Sequence, residues 1–212
     1  SSVYFPERDA VKLVSTPTSD IFDTEITDPV KVSFYNGTKV IDALSHFNGD
    51  VQGKIKYSEI DGELMASDFT LENEDLQINL ACADPSLSFM EMSKEETDRA
   101  FSTEGSIFQF DLLTTHVDKM KSLFNLEREE DTFTLAVNDK GVAVQGLSYD
   151  ATLAHTYEGE NALGQKVVIY KKYINLLDKE NYKVVVCNNK VVFRSLDTNT
   201  HLTVAVAITD ED

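Results

Sequence analysis

The chain has 212 residues, a formal net charge of −18, 42% hydrophobic residues and two cysteines. This length suits one large domain or two of about 100 residues each. There is no apolar run near the roughly 18 residues of a membrane helix, no leader-like start and too few cysteines for a disulfide framework, so we expect a soluble, unsecreted protein of a reducing cytoplasm.

The first half consists of short β-rich runs on either side of one amphipathic helix. Strands are predicted around residues 3–5, 10–15, 21–26 and 30–34. A helix is predicted over 37–47, with Lys39 and His46 on its polar side. Its apolar stripe consists of Val40, Ile41, Leu44 and Phe47. Three further strands are predicted at 53–58, 63–67 and 71–83.

Residues 84–105 separate the two halves. Pro85 ends the preceding run, because proline cannot donate to a β-ladder. An apolar stretch follows, then a charged stretch at 94–99, and Gly105 precedes the next strand. We predict an interdomain connector at 84–105, between a first domain at 1–83 and a second at 106–212.

The second half begins with a strand at 107–110 and a helix over 111–126, whose apolar stripe is Leu113, Val117, Met120 and Phe124. Strands are predicted at 132–138, 142–148, 151–157 and 166–169. A second helix is predicted over 170–179, with Tyr170, Tyr173, Ile174 and Leu177 inward and Lys172 and Lys179 outward. Strands at 182–187, 190–195 and 202–209 complete the chain.

The order of elements indicates an internal repeat of architecture. The second half is predicted as strand, helix, four strands, helix and three strands, and the first half has the same order without its opening strand and helix. We therefore expect an α+β fold of two similar domains, with an N-terminal strand-helix pair missing from this sequence.

Three short strings carry a resemblance to a known family. They are ADPS at 83–86, YEGEN at 157–161 and NYKVVV at 181–186. In this order and spacing they resemble the DNA sliding clamp family, and more narrowly the clamp of T-even bacteriophages, to which proliferating-cell nuclear antigen is a distant relative.

The resemblance implies two clamp-type domains per subunit and a closed ring of three subunits, with sheets outside and amphipathic helices inside. It implies a non-enzymatic processivity factor of DNA replication, without cofactor or metal, in the cytoplasm of an infected bacterial host. The implied partners are encircled duplex DNA, a DNA polymerase and an ATP-dependent clamp loader.

The resemblance also implies two sets of site residues. The DNA-facing set is Lys39, His46, Lys119, Lys121, Lys172 and Lys179. The partner-binding set is Leu87, Phe89, Met90 and Met92 from the connector, with Ala207 and Ile208 near the C-terminus. The alternatives are that these lysines are ordinary solvated side chains, and that the connector residues only pin the connector to a sheet.

The net charge of −18 at first disfavours nucleic acid, because phosphate affinity comes from Lys and Arg. Net charge does not locate the charges, however, and salt screens exposed charges over about 8–10 Å. A locally basic surface can therefore face DNA on an acidic protein.

Other classes of function have weaker support. The sequence contains no GxSxG, GxxxxGK[ST], HExxH or GxGxxG motif. A carboxylate-dependent hydrolase would use the acidic residues of 127–131, which lack the ligand spacing of a calcium loop and are typical of a solvated turn. The main rival is a β-rich phage structural or adhesion module that oligomerises without binding DNA.

Overall fold

The structure is a computed structural model that describes residues 2–7, 9–15, 30–35, 37–84 and 92–207. The chain divides into two compact units, unit 1 (Ser1–Ser15 with Met92–Asp212) and unit 2 (Thr16–Glu91). The predicted strand at 21–26 and the candidate residues Leu87, Phe89, Met90 and Ile208 lie outside the described residues.

Strands dominate the described chain. In chain order the elements are β1 (Ser2–Glu7), β2 (Ala10–Ser15), β3 (Val30–Lys31), α1 (Gly37–Leu44), β4 (Gln52–Ile60), β5 (Glu63–Glu72), β6 (Gln77–Ala81), α2 (Lys94–Phe101), β7 (Ser106–Leu112), α3 (Thr114–Phe124), β8 (Thr132–Asn138), β9 (Gly141–Gln145), β10 (Asp150–Ala154), β11 (Lys166–Tyr170), a 3₁₀ helix (Lys171–Leu176), β12 (Tyr182–Cys187), β13 (Lys190–Ser195) and β14 (Asn199–Ala205). None of the helices in these described ranges is long and apolar enough to cross a membrane.

Unit 1 contains two antiparallel sheets. The larger has the order β1-β2-β14-β13-β12-β7, and the smaller has the order β10-β9-β8-β11. Side chains alternate between the faces of a strand, so Val184 and Val186 enter the main core while Val185 and Cys187 face the opposite side. The helix α3 and the 3₁₀ helix contribute to the main core, and α2 covers part of the opposite face.

Unit 2 contains a small sheet with β5 at its centre. The strands β4 and β6 pair with β5 antiparallel, and β3 pairs with it in parallel over two residues. The predicted run 71–83 is in fact the end of β5 and all of β6. These two strands are separated by a turn in which Asn73 Oδ1 accepts from the N–H groups of Asp75 and Leu76.

The helix α1 packs by a different stripe from the predicted one. Ala43 is buried and Val40 is half-buried, whereas Ile41 and Leu44 are 68% and 44% exposed. The prediction was wrong for Ile41 and Leu44 because two neighbouring stripes both satisfy helical spacing, and packing selected the one through Ala43. In α3, Leu113 precedes the first helical residue and is likewise 45% exposed.

Three elements of unit 1 differ from the sequence prediction. The charged stretch at 94–99 is helix α2, which begins with a capping box between Ser93 and Glu96. The helix predicted over 170–179 is the shorter 3₁₀ helix, so Lys179 lies beyond it. The strand β2 pairs with β14, so residues 1–15 belong to unit 1 and not to the first-half sheet. The domain boundaries themselves stay a prediction.

Candidate DNA-facing and partner-binding surfaces

A cleft of about 760 Å³ lies in unit 1, between the end of α3, the loop after it and the 3₁₀ helix. Its cationic lining is Lys121, Arg128, Lys171 and Lys172. Its carboxylates are Asp9, Glu127, Glu130 and Asp131. The cleft therefore brings together two of the predicted DNA-facing residues, Lys121 and Lys172, and adds two cations that the sequence interpretation missed.

Two lysines of the cleft are held against aromatic rings. Lys171 Nζ donates to the carbonyl oxygen of Glu127 at 2.7 Å and lies 5.5 Å from the centre of the Phe124 ring. Lys172 Nζ lies 5.3 Å from the centre of the Tyr173 ring, and its residue is exposed. Such cation–π contacts restrict the side chains without neutralising their charge.

Glu127 has a structural task in this cleft. Its Oε1 accepts from the backbone N–H of Ser148, in the turn between β9 and β10. Hydrogen bonds from Ser148 are the largest influence on its carboxyl and hold the pKa of Glu127 below its usual range. Glu127 therefore ties the loop after α3 to the β9–β10 turn. The described residues contain no group of three or more His, Cys, Asp or Glu side chains that could hold a metal ion.

The other predicted DNA-facing residues do not line the cleft. Lys119 is exposed on α3, and Lys179 is exposed in the segment after the 3₁₀ helix. In unit 2, Lys39 is exposed on α1 and His46 is exposed just after it. All four residues are exposed to solvent.

A buried lysine fixes the end of the 3₁₀ helix. Lys12 of β2 is 7% exposed, and its Nζ donates to Leu176 O at 3.1 Å and to Asp178 Oδ2 at 2.6 Å. The N–H of Asp178 donates to the hydroxyl of Tyr182 at 2.9 Å. Burial raises the pKa of Tyr182, which keeps this phenol neutral. These contacts end the helix three residues before the predicted end at 179.

A second contact fixes the beginning of α3. Asn181 Oδ1 accepts from the N–H of Thr114 at 3.1 Å, and the N–H of Asn181 donates to Asp197 Oδ2 at 2.7 Å. One of the orphan N–H groups of α3 is therefore satisfied by the segment that follows the 3₁₀ helix. The two helices that border the cleft are held by the same stretch, 176–181.

Two of the predicted partner-binding residues are described. Met92 and Ala207 are both half-buried. The N–H of Ala207 donates to Val168 O at 2.8 Å, and the N–H of Val206 donates to Asn189 O at 3.2 Å. The end of β14 is thereby tied to β11 and to the β12–β13 turn.

Comparison with known proteins concerns the fold. No protein-family model matches the sequence, and no curated protein matches it. Among solved structures, the β chain of DNA polymerase III from Streptococcus pneumoniae is matched with a TM-score of 0.64 and 12% identity, over 98% of this chain and 56% of that one. The chain thus spans a little over half of that protein.

Two archaeal structures are covered more fully. PCNA from A. fulgidus, solved with the C-terminal region of FEN-1, is matched with a TM-score of 0.57 and 12% identity, over 97% of this chain and 84% of that one. A PCNA2–PCNA3 complex from Sulfolobus tokodaii is matched with a TM-score of 0.58 and 12% identity, over 95% and 82%.

These neighbours define the class of fold. The chain has the α+β architecture of DNA sliding clamp domains, with antiparallel sheets and short helices, and the predicted fold class is confirmed. At about 12% identity the likeness shows the fold alone. The narrower resemblance to the clamp of T-even bacteriophages stays a prediction.

Proposed function

We propose that the chain is a DNA polymerase processivity factor, a subunit of a ring that encircles duplex DNA and tethers the replicative polymerase. The observation that carries this proposal is the clamp-type fold over nearly the whole chain. The mechanism is topological and needs no catalytic group: the ring prevents dissociation, while weak contacts to phosphates allow sliding. Its place of action is the cytoplasm of a bacterial host.

The cations that line the cleft support the contact with DNA. Lys121, Arg128 and Lys172 converge there although the whole chain carries a net charge of −18. Contacts of Lys and Arg with phosphates are independent of base sequence, as sliding requires. The carboxylates of the same cleft limit the attraction, and a weak attraction suits a protein that has to move along the duplex.

Ring formation requires open strand edges, and the edges of unit 1 are not equivalent. The edge of β7 is covered, since Gln109 and Glu158 exchange two backbone hydrogen bonds of 2.9 Å. The strand β10 borders its sheet, with β9 as its partner strand. Native proteins pair or guard such edges. We therefore expect β10 to pair head-to-tail with a different strand edge of a second copy, closing a homotrimer.

The partner site is proposed at the connector and the C-terminal segment. Met92 and Ala207 are its described members. A polymerase or an ATP-dependent clamp loader would insert a short apolar peptide there. The structure of A. fulgidus PCNA with the C-terminal region of FEN-1 is a precedent in a protein of the same fold.

Retention on end-blocked DNA tests the topological claim without a loader. The chain is incubated with linear duplex, both ends or one end are then blocked with streptavidin, and the salt is raised to remove electrostatic binding. A ring stays on DNA blocked at both ends and leaves DNA with one open end. Equal loss from both would refute encirclement. Oligomers in sedimentation without selective retention would support the structural or adhesion module instead.

The cleft is tested by charge reversal. The double variant Lys121→Glu with Lys172→Glu should weaken binding to duplex at low salt. It should also make the negative slope of log K against log salt shallower by about 2, one for each lost phosphate contact. Lys94→Glu is the matched control, because Lys94 is an exposed lysine of α2 that does not line the cleft. An unchanged slope in the double variant would place the DNA-facing surface elsewhere.

A further inference from the structure

Helix α2 lies on the face of the large sheet that is turned away from the main core. Phe101 is 9% exposed and packs in a cluster with Val185, Cys187 and Val192. Its ring centre also lies 6.1 Å from that of His201. The last residue of the helix is therefore its apolar anchor on the sheet.

Three polar side chains of the sheet bind the carbonyl groups at the same end of α2. Lys190 Nζ donates to Arg99 O at 2.7 Å and to Ala100 O at 3.0 Å. Arg194 Nη2 donates to Phe101 O at 3.1 Å. Thr203 Oγ1 donates to Ala100 O at 3.1 Å. We call Lys190, Arg194 and Thr203 the clasp.

The chemistry of the clasp matches the end of a helix. The last carbonyl groups of an α-helix lack partners within the helix and carry its negative partial charge. Two cations and a hydroxyl supply donors there. At the other end, the capping box of Ser93 and Glu96 satisfies the helix locally, and residues 93–96 are exposed. The hydrogen bonds of the clasp thus fix the C-terminal end of α2.

The β12–β13 turn also holds the C-terminal segment, which forms the other side of the proposed partner site. Asn189 O accepts from the N–H of Val206 at 3.2 Å, next to Ala207. Lys190, which holds α2, is the next residue. The adjacent residues Asn189 and Lys190 therefore anchor the C-terminal segment and the connector, respectively.

We propose that Lys190, Arg194 and Thr203 are positioning residues of the partner-binding site, which hold the C-terminal end of the connector helix on the sheet. The role in partner binding rests on the proposed function; the anchoring of α2 does not.

The chain contains its own probe for this anchoring. Cys187 is 3% exposed and belongs to the cluster with Phe101. Burial raises the pKa of its thiol, which further slows its reaction. In a Cys82→Ser background, the rate at which Cys187 reacts with 5,5′-dithiobis(2-nitrobenzoate) reports how often the sheet under α2 is uncovered.

Lys190→Met should raise this labelling rate about tenfold, which corresponds to about 1.4 kcal/mol, and Lys190→Arg should restore most of the protection. Lys183→Met is the matched control. The side chain of Lys183 lies on the same face of β12 as that of Cys187. Its Nζ pairs with Asp111 Oδ1 at 2.8 Å and not with α2. An unchanged rate in Lys190→Met, or an equal increase in Lys183→Met, would overturn the anchoring.

A second measurement separates positioning from general stability. Lys190→Met should reduce stimulation of the polymerase in a loader-dependent processivity assay, while retention on end-blocked DNA stays near that of the wild type, which would show that the ring itself is intact. Faster labelling with full polymerase stimulation would overturn the positioning role. Absence of retention in the wild type would instead refute the proposed function and leave the thiol result intact.

Discussion

The ion pair between Lys12 and Asp178 has one buried and one exposed partner, and this asymmetry predicts unequal effects of removing them. The side chain of Lys12 is 8% exposed and that of Asp178 is 50% exposed, with 2.6 Å between Nζ and Oδ2. Asp178→Asn leaves a buried ammonium opposite a neutral amide. Lys12→Met removes the buried charge and leaves a carboxylate that water can reach.

The magnitudes follow from the cost of burying a charge. Breaking a fully buried pair costs about 3–5 kcal/mol. The exposure of Asp178 screens part of the interaction, so we expect Asp178→Asn to lower the free energy of unfolding by about 2 kcal/mol. Replacement of a buried ion pair by apolar side chains is often close to neutral, and the carboxylate that Lys12→Met leaves is 50% exposed, so this variant should cost about 1 kcal/mol or less.

Urea unfolding followed by far-ultraviolet circular dichroism measures both variants, because the chain has no tryptophan. The double variant should be close to Lys12→Met alone, since Asp178 matters mainly through its lysine. A larger loss in Lys12→Met than in Asp178→Asn would refute the reasoning, because it would mean that the packing of the lysine stem, and not its charge, dominates.

Three further predictions concern unit 1. Burial, followed by the charge of Arg194, lowers the pKa of His201 in the folded protein. As the pH falls, the unfolded chain therefore binds the proton first, so the free energy of unfolding should decrease below about pH 6.5. Urea titrations should show that His201→Gln flattens this dependence. Gly159 has φ +149° and a Cβ there would lie 2.5 Å from Ile107 O, so Gly159→Ala should detach the loop from the β7 edge and increase self-association in light scattering. Asn181→Ala should cost about 1 kcal/mol in thermal unfolding by loss of its bond to α3, whereas Asn161→Ala, in an exposed turn, should not.

The residues that were predicted well are those whose environment is local in sequence. Strands such as 132–138, 182–187 and 190–195 have the bounds observed in the structure, because apolar β-branched runs between turn residues favour strands over a few residues. Helix α2 could also have been predicted, because Ser93 and Glu96 form the sequence pattern of a capping box. The charged composition of residues 94–99 was instead interpreted as part of a connector.

The cleft was predicted only in part. Lys121 and Lys172 were candidates because the resemblance to sliding clamps implies that the amphipathic helices face DNA, and both line the cleft. Lys171 was overlooked beside Lys172, since helical spacing alone did not indicate its bond to Glu127. Arg128 lies in an acidic loop, where composition suggested a solvated turn. The cleft is formed by segments that are far apart in the chain, and such a meeting produces no periodic pattern in the sequence.

From the sequence alone it was possible to determine the class of most strands and the α+β fold, because these depend on patterns that repeat within about ten residues. Only the tertiary structure decided that β2 joins β14, that Lys12 ends the 3₁₀ helix 164 positions away, and that Lys190 holds α2 across 91 positions. Each of these contacts satisfies one buried or orphan polar group with another, and many distant pairs in the chain could have met that requirement equally well. Packing in three dimensions selected one set of pairs.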